Sequence, residues 1–307
     1  DNQQKELHIA RDHIGIKPLY YAQIGDEFIF ASEIKALFLH PEIKRDIAPD
    51  ILATFLLFNN IFGDSSIWAG VKSCRPGEHI VWRGGELIKN RFFDIGSLRV
   101  EPFKGSFEDA AEQYSELLRE SVKDHLISDV AVGTYLSGGI DSSTVATLAA
   151  HEHGSDIPSF TGYFAGKEDG WYDERNGAKA VADKAGISHN DCPITCDDFQ
   201  TLFSKVAYHL DEPTLGSGAI PQYIVARRVK EKVKVVLTGH GGDELFCGYP
   251  VFKSMMYRES PSALNLMQLL ARSNSSDEIL RTLFFVAGGA RDAIMRRGQL
   301  RMFSGSR

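Results

Sequence analysis

Short apolar runs broken by glycine and charged turns fill the first hundred residues, and a helical period replaces them from Ser106 onward. Leu7-His8-Ile9-Ala10 has the length and composition of a strand, followed by a turn region at Gly15 and Pro18. Leu19–Ala22 and Phe28–Ala31 flank Gly25-Asp26-Glu27, and His79–Trp82 and Glu86–Ile88 flank Arg83-Gly84-Gly85. Both pairs predict β-hairpins. Pro49 to Phe62 predicts a helix that is apolar all round and therefore buried. Ser106 with Asp109 forms a capping-box signature, and Phe107, Ala110, Tyr114, Leu117, Leu118 and Val122 keep one helical face to about His125. Strands are then expected at 130–136, 159–164 and 233–237, separated by helices at Ser143–His151, Asp173–Ala185, Asp197–Leu210 and Ile220–Lys230. That alternation predicts a parallel sheet with crossover helices. The tail from Ala263 to Phe303 reads as further helices. No internal repeat is evident, and the change of pattern places a domain boundary near residue 100, with 1–100 before it and 105–307 after it.

Composition narrows the class. A chain of 307 residues with 43% hydrophobic and 24% charged residues is an ordinary globular mixture, long enough for two modest domains. A formal net charge of −7 gives no general attraction for nucleic acid, so no nucleic-acid partner is expected. The basic cluster Arg291 to Arg301 reads as the polar face of a helix. Four cysteines do not make a disulfide scaffold. Cys192 and Cys196 with His189 upstream lack the second ligand pair of a structural zinc site, so packing or surface thiols are the simpler reading. No apolar run reaches the ~18 residues of a membrane span, and the first residues have no signal-peptide character. The expectation is a cytoplasmic protein with no membrane partner.

Two loops carry candidate chemistry. The first, Leu136-Ser137-Gly138-Gly139-Ile140-Asp141-Ser142-Ser143, stands between a strand and a helix. There, backbone N–H groups and a helix N-terminus can surround an anion. The glycines allow a sharp turn and close approach to phosphate oxygens. Ser137, Ser142 and Ser143 add hydroxyl donors, and Asp141 supplies a carboxylate suited to Mg2+. No Walker A pattern occurs and no lysine stands in this loop to reach a γ-phosphate. The second loop, Thr238-Gly239-His240-Gly241-Gly242-Asp243-Glu244, follows the C-terminal end of another expected parallel strand, where α/β sheets collect ligands. Asp243 is a candidate second Mg2+ ligand opposite Asp141.

These residues resemble the glutamine-hydrolysing asparagine synthetases. The match runs through Leu136–Ser143, Tyr172-Asp173-Glu174, Asp211-Glu212-Pro213 and Thr238–Tyr249. It includes Ala10 to Tyr21, Phe30 to Leu37 and Arg75-Pro76-Gly77-Glu78 in the first block. The resemblance implies an α/β chain in which part of an antiparallel, β-rich, N-terminal-nucleophile glutaminase domain precedes a doubly wound, parallel-sheet ATP pyrophosphatase domain. It implies ATP and Mg2+, with Leu136, Ser137, Gly138, Gly139, Asp141, Ser142, Ser143, Gly162, Thr238 and Gly239 on the nucleotide. Asp141 and Asp243 would hold the metal, and Asp141, Asp243 and His240 would be the catalytic set. Aspartate, ATP and glutamine or ammonia would be the partners, with a homodimer as the candidate assembly.

Three departures qualify the resemblance. The chain opens at Asp1, partway through the glutaminase pattern, so a truncated N-terminus is expected and no glutaminase residue is assigned. Cys74 is internal and has no free α-amine, so it does not replace the family's N-terminal cysteine. The segment after Tyr249 does not match the family's later helices, which implies a shortened C-terminus. His240 stands where many members carry an acidic residue. The mechanism implied is attack of the aspartate β-carboxylate on the α-phosphate, giving β-aspartyl-AMP and pyrophosphate, then displacement of AMP by ammonia. Three alternatives remain: an amidotransferase or lactam- or peptide-forming cyclase acting on another carboxylate, a tRNA-modifying enzyme with a similar loop, and an inactive nucleotide-binding fragment.

Overall fold

The computed structural model describes residues 1–99, 101–154, 157–166, 173–214, 218–249 and 252. The expected helices of 263–303, the basic cluster at 291–301 and Tyr172 lie outside them. In chain order the elements are β1 (Glu6–Ala10), β2 (Tyr20–Ile24), β3 (Glu27–Ala31), α1 (Ile34–Leu37), α2 (Pro49–Phe58), β4 (Lys72–Ser73), β5 (Glu78–Arg83) and β6 (Glu86–Arg91). After a short 3-10 turn come α3 (Phe107–His125), β7 (Val132–Tyr135), α4 (Ile140–His153), β8 (Pro158–Phe164), α5 (Arg175–Ala185) and β9 (Ser188–Ile194). The last are α6 (Cys196–Leu210), α7 (Ala219–Val229), β10 (Val235–Leu237) and α8 (Gly242–Phe246). The chain divides into two compact units.

The first unit comprises 1–118, 162–170 and 192–232. It contains two small antiparallel sheets, ordered β1-β5-β6 and β3-β2-β4. Gly84 and Gly85 both adopt positive φ at the two-residue turn between β5 and β6, the conformation that a tight hairpin needs. Successive side chains of a strand point to opposite faces. Tyr21 accordingly packs with Ile9, Cys74 and Ile80, while Ala22 packs with Ile34, Leu37, Ile43 and Val71. Phe28 stacks on Trp82 at 5.4 Å between ring centres, joining the two sheets. The Arg11 guanidinium donates to the carbonyls of Gly15 and Cys74 at 2.8 Å and of Lys17 at 2.9 Å, so this arginine of the first motif closes a loop.

Cys74 is fully buried, and burial pushes its thiol up to about 12. It stays protonated at neutral pH and is a poor nucleophile.

The expected helix at Pro49–Phe62 is shorter and less buried. It ends at Phe58, because Asn59 takes a left-handed conformation and returns its N–H to the Phe55 carbonyl. Phe55 is its buried residue, whereas Leu56 and Leu57 are 66% and 69% exposed. An all-round apolar run says nothing about which face finds a partner.

Asp64 gathers three cations: Lys89 at 2.9 Å, Arg75 at 3.5 Å and Lys72 at 3.6 Å. The hydrogen bond from Lys89, working against partial burial and helped by the other two charges, holds the Asp64 carboxyl down to about 2. The unfolded carboxyl takes up its proton near pH ~3.9. The stabilisation is therefore complete above that value and is lost as pH falls from about 4 to 2. Urea midpoints between pH 5 and 2 should fall less steeply for Asp64→Asn than for the wild type; identical slopes would remove this role.

The second unit comprises 119–161, 171–191 and 233–307. It holds the core of the sheet ordered β10-β7-β8-β9, in which β10 pairs parallel to β7 and β7 parallel to β8. The fold is the expected α/β combination of antiparallel sheets in the first part and a parallel sheet after them. The Ser106–Asp109 capping box forms as expected: the Asp109 N–H donates to the Ser106 hydroxyl, and the Ser106 N–H to the Asp109 carboxylate.

Candidate nucleotide-binding site

The parallel pairing Val235↔Val132 to Leu237↔Thr134 brings the C-terminal ends of β7 and β10 side by side. Each strand runs directly into one of the two glycine loops, so both loops emerge at the same edge of the sheet. Leu136 is buried and fixed from two sides: its N–H donates to the Phe160 carbonyl at 3.0 Å, and its carbonyl accepts from the Thr161 hydroxyl. The turn follows at Ser137-Gly138-Gly139, and α4 starts at Ile140, three residues earlier than periodicity predicts.

Gly138 has φ +76°, and a Cβ there would stand 2.8 Å from the Gly177 carbonyl carbon and 2.9 Å from the Ala178 nitrogen of α5. Both its conformation and its backbone neighbour require glycine. The loop hydroxyls are mutually bonded. Ser137 Oγ and Ser142 Oγ lie 2.8 Å apart, the Ser137 N–H donates to Ser142 Oγ at 3.2 Å, and the Gly139 N–H donates to Ser137 Oγ at 3.3 Å. Ser143 Oγ is buried without a hydrogen-bond partner. An unmatched hydroxyl beside the first turn of a 14-residue helix is suited to an anionic oxygen.

The second loop closes on the first through two glycines. A Cβ at Gly239 would lie 2.6 Å from the Ser142 nitrogen and 2.7 Å from the Asp141 carbonyl carbon. One at Gly242 would fall on the Asp141 carboxylate itself. Asp243 is the next residue, in the first turn of α8. The Tyr249 hydroxyl donates to the Glu244 carboxylate at 3.0 Å; that bond first, then burial and the charges of Glu244, Asp243 and Asp141, push the phenol above its ordinary value. His240 turns its Nδ1 to Thr238 Oγ1 at 2.9 Å. Among the described residues no group of three His, Cys, Asp or Glu forms a ready metal cage. Mg2+ is ordinarily held by one or two carboxylates together with phosphate oxygens and water, and two aspartates at this edge fit that demand.

The sequence-predicted residues Leu136 to Ser143, Thr238, Gly239, His240 and Asp243 thus come together in one unit. Gly162 follows Thr161 on β8 and belongs to the other unit, where the Val225 side chain of α7 fills the space a Cβ would take. Glu174 of the Tyr172-Asp173-Glu174 motif is the N-cap of α5, the helix against which Gly138 packs. Burial raises the pKa of Glu174, and the nearby Ser137 side chain partly offsets that. A carboxylate at the start of an unremarkable helix gives no signal of this in the sequence.

A family model described as asparagine synthase matches residues 113–303. The chain belongs to the asparagine synthase family. A second model, for a glutamine amidotransferase domain, matches residues 1–93. The chain is 33% identical over 268 residues to asparagine synthetase [glutamine-hydrolyzing] 1 of Bacillus subtilis, covering 86% of this chain and 41% of that protein. It is 27% identical to asparagine synthetase B [glutamine-hydrolyzing] of Escherichia coli over 89% of this chain and 45% of that one. This asparagine synthase chain therefore spans less than half the length of the relatives it matches. Among solved structures, an NH3-dependent NAD synthetase from Campylobacter jejuni superposes with a TM-score of 0.31 at 16% identity, over 61% of this chain and 96% of that one. So loose a superposition carries no argument about the site. No helix among the described residues is long and apolar enough to cross a membrane.

Proposed function

We propose that this chain is the ATP-using part of a glutamine-dependent amidation enzyme that converts aspartate to asparagine. In this reading 1–100 is the later part of the glutaminase-type domain and 105–307 the synthetase domain. The single observation that supports it most is the closure of the Gly239–Gly242 loop on Asp141, beside the unmatched Ser143 hydroxyl. That arrangement offers backbone N–H groups, hydroxyls and two carboxylates at one edge of a parallel sheet.

ATP would bind with its phosphates on Ser137 to Ser143 and with Leu136, Thr238 and Gly239 along the nucleotide. Asp141 and Asp243 would hold Mg2+, which supplies neutralisation of phosphate charge. The aspartate β-carboxylate would attack the α-phosphate, forming β-aspartyl-AMP and releasing pyrophosphate. Ammonia from glutamine hydrolysis would then displace AMP. The protein's contribution is positioning and fixed charge, the large terms in phosphoryl chemistry. His240 brings an imidazole where many members of the family it resembles carry a carboxylate, and the acceptor is therefore tested directly. ATP–pyrophosphate exchange should be stimulated by aspartate over glutamate, malonate and longer carboxylic acids. Stimulation by another carboxylate and not by aspartate would assign the chain to an amidotransferase or cyclase of different acceptor.

A further inference from the structure

Two cationic side chains and a buried phenol meet in a cavity that lies wholly within the first unit. β2 supplies Tyr21 and Gln23, which stand two positions apart and so share a face. Lys72 of β4 lies directly opposite Tyr21 in the antiparallel register, which puts its side chain on that same face. β6 of the other small sheet supplies Leu87 and Lys89, again two positions apart. The Gln23 amide donates to the Gly85 carbonyl at 3.2 Å and ties β2 to the β5–β6 hairpin. Between these walls is a cavity of about 240 Å³.

Donors are in excess there. Tyr21 is only 3% exposed, and its hydroxyl oxygen is buried without a hydrogen-bond partner. Burial, the larger effect, raises the phenol's pKa against the pull of the Lys89 ammonium, so the hydroxyl keeps its proton at neutral pH. Lys89 stands 5.3 Å from the centre of the Tyr21 ring, but an ammonium has no lone pair to accept that proton. Lys89 itself is engaged by Asp64 at 2.9 Å. Lys72 reaches the same carboxylate only at 3.6 Å and Arg75 at 3.5 Å, both longer than a good hydrogen bond. One carboxylate thus serves three cations. Glu78, the other acidic residue whose charge reaches Tyr21, accepts the Arg75 N–H at 3.0 Å. A buried hydroxyl proton and a half-exposed ammonium therefore line the cavity with no acceptor between them among the described residues.

A buried hydroxyl without an acceptor is costly, and such a group is accounted for by an acceptor that arrives from outside. Water would serve the hydroxyl alone, whereas an anion serves both the hydroxyl and the uncompensated charge beside it. The cavity is smaller than the about 300–1,000 Å³ of sites for larger ligands, so the anion must be small. We propose that this wedge binds a small oxyanion, a carboxylate or phosphate, with the Tyr21 hydroxyl and the Lys72 ammonium as its donors. Lys89, held by Asp64, adds fixed positive charge behind them. The site is independent of the nucleotide reading, since none of its residues belongs to the unit that carries the glycine loops.

The test uses the full chain in an anion-poor buffer, with inorganic phosphate and L-glutamate as probes and chloride at matched ionic strength as the control. Melting temperature and titration calorimetry are the readouts, because a ligand of the folded state raises the melting temperature with its concentration. Phosphate or glutamate should do so where chloride does not. Tyr21→Phe and Lys72→Gln should each raise the Kd of the responding anion roughly tenfold, the worth of a hydrogen bond to a charged group. Lys44→Gln, which alters an exposed lysine outside the cavity, should change it less than about twofold. Without anion, Tyr21→Phe should melt no lower than wild type, because it removes a buried donor that lacks a partner. A response to phosphate alone or to glutamate alone supports the site and identifies its ligand chemistry. No response from the wild type, or an equal response to chloride, would overturn it. Undiminished affinity in both variants, as expected of phosphate bound at the glycine loops instead, would do the same. A lower melting temperature of anion-free Tyr21→Phe would show the hydroxyl to be partnered already and would remove it as the donor.

Discussion

Asp141→Asn is expected to reduce aspartate-dependent pyrophosphate release by about a thousandfold or more while the protein stays folded. The substitution is nearly isosteric, so the close approach of Gly242 to this side chain is preserved. What is lost is one full negative charge at the point where the two loops meet. Metal neutralisation of transferring phosphates contributes several kcal/mol, and about 1.4 kcal/mol corresponds to a factor of ten in rate. Loss of one of only two candidate metal-holding carboxylates should therefore cost at least three factors of ten, with little recovery at high Mg2+. A rapid-quench measurement of pyrophosphate from the variant, alongside its circular dichroism and melting temperature, checks this. Near-wild-type release from a folded Asp141→Asn protein would remove the metal assignment, whatever the family of the chain. Asp243→Asn should act in the same direction, since Asp243 stands in the α8 turn that follows Gly242.

The loops were legible because their chemistry is local. Serine, glycine and aspartate within eight positions can be read without knowing what lies elsewhere, and the hairpins and the Ser106–Asp109 box are likewise written in a few neighbouring residues. Three features were not legible, each for a physical reason. β9 reads Ser-His-Asn-Asp-Cys-Pro-Ile, a polar run without the alternation that marks a half-buried strand. α1 has four residues, too few for a helical period to show. Its N-terminal N–H groups are satisfied by Asp211, 177 positions later, so the interaction that completes it is invisible locally. The Thr195–Asp198 capping box of α6 was readable in principle, since both residues stand at the right spacing. Glu174 shows the converse limit, because a carboxyl at a helix start looks like ordinary first-turn charge until Ser137 is seen beside it.

Gly239→Ala is the second variant for which a large loss is expected, and it tests the cradle rather than the metal. Gly239 has an ordinary backbone conformation, so an added methyl group causes no torsional strain of its own. The obstacle is steric: the new Cβ would meet the Ser142 nitrogen at 2.6 Å and the Asp141 carbonyl carbon at 2.7 Å. Both are main-chain atoms in the first turn of α4 and cannot swing away as a side-chain tip can. The loops must separate, and overpacking of this size costs about 1–3 kcal/mol of stability. A separation approaching 1 Å between groups that act on the same phosphate costs about a hundredfold in rate. Exchange activity should fall by about that factor and the melting temperature by several degrees. Gly218→Ala is the matched control: a Cβ there meets nothing within 4 Å, so its stability should stay within about 0.5 kcal/mol of wild type. If Gly239→Ala behaves like Gly218→Ala, the two loops do not touch in solution, and a shared phosphate cradle is ruled out. If it loses activity far more than stability, the contact between the loops is functional, because a merely structural contact would be felt mainly in the melting curve.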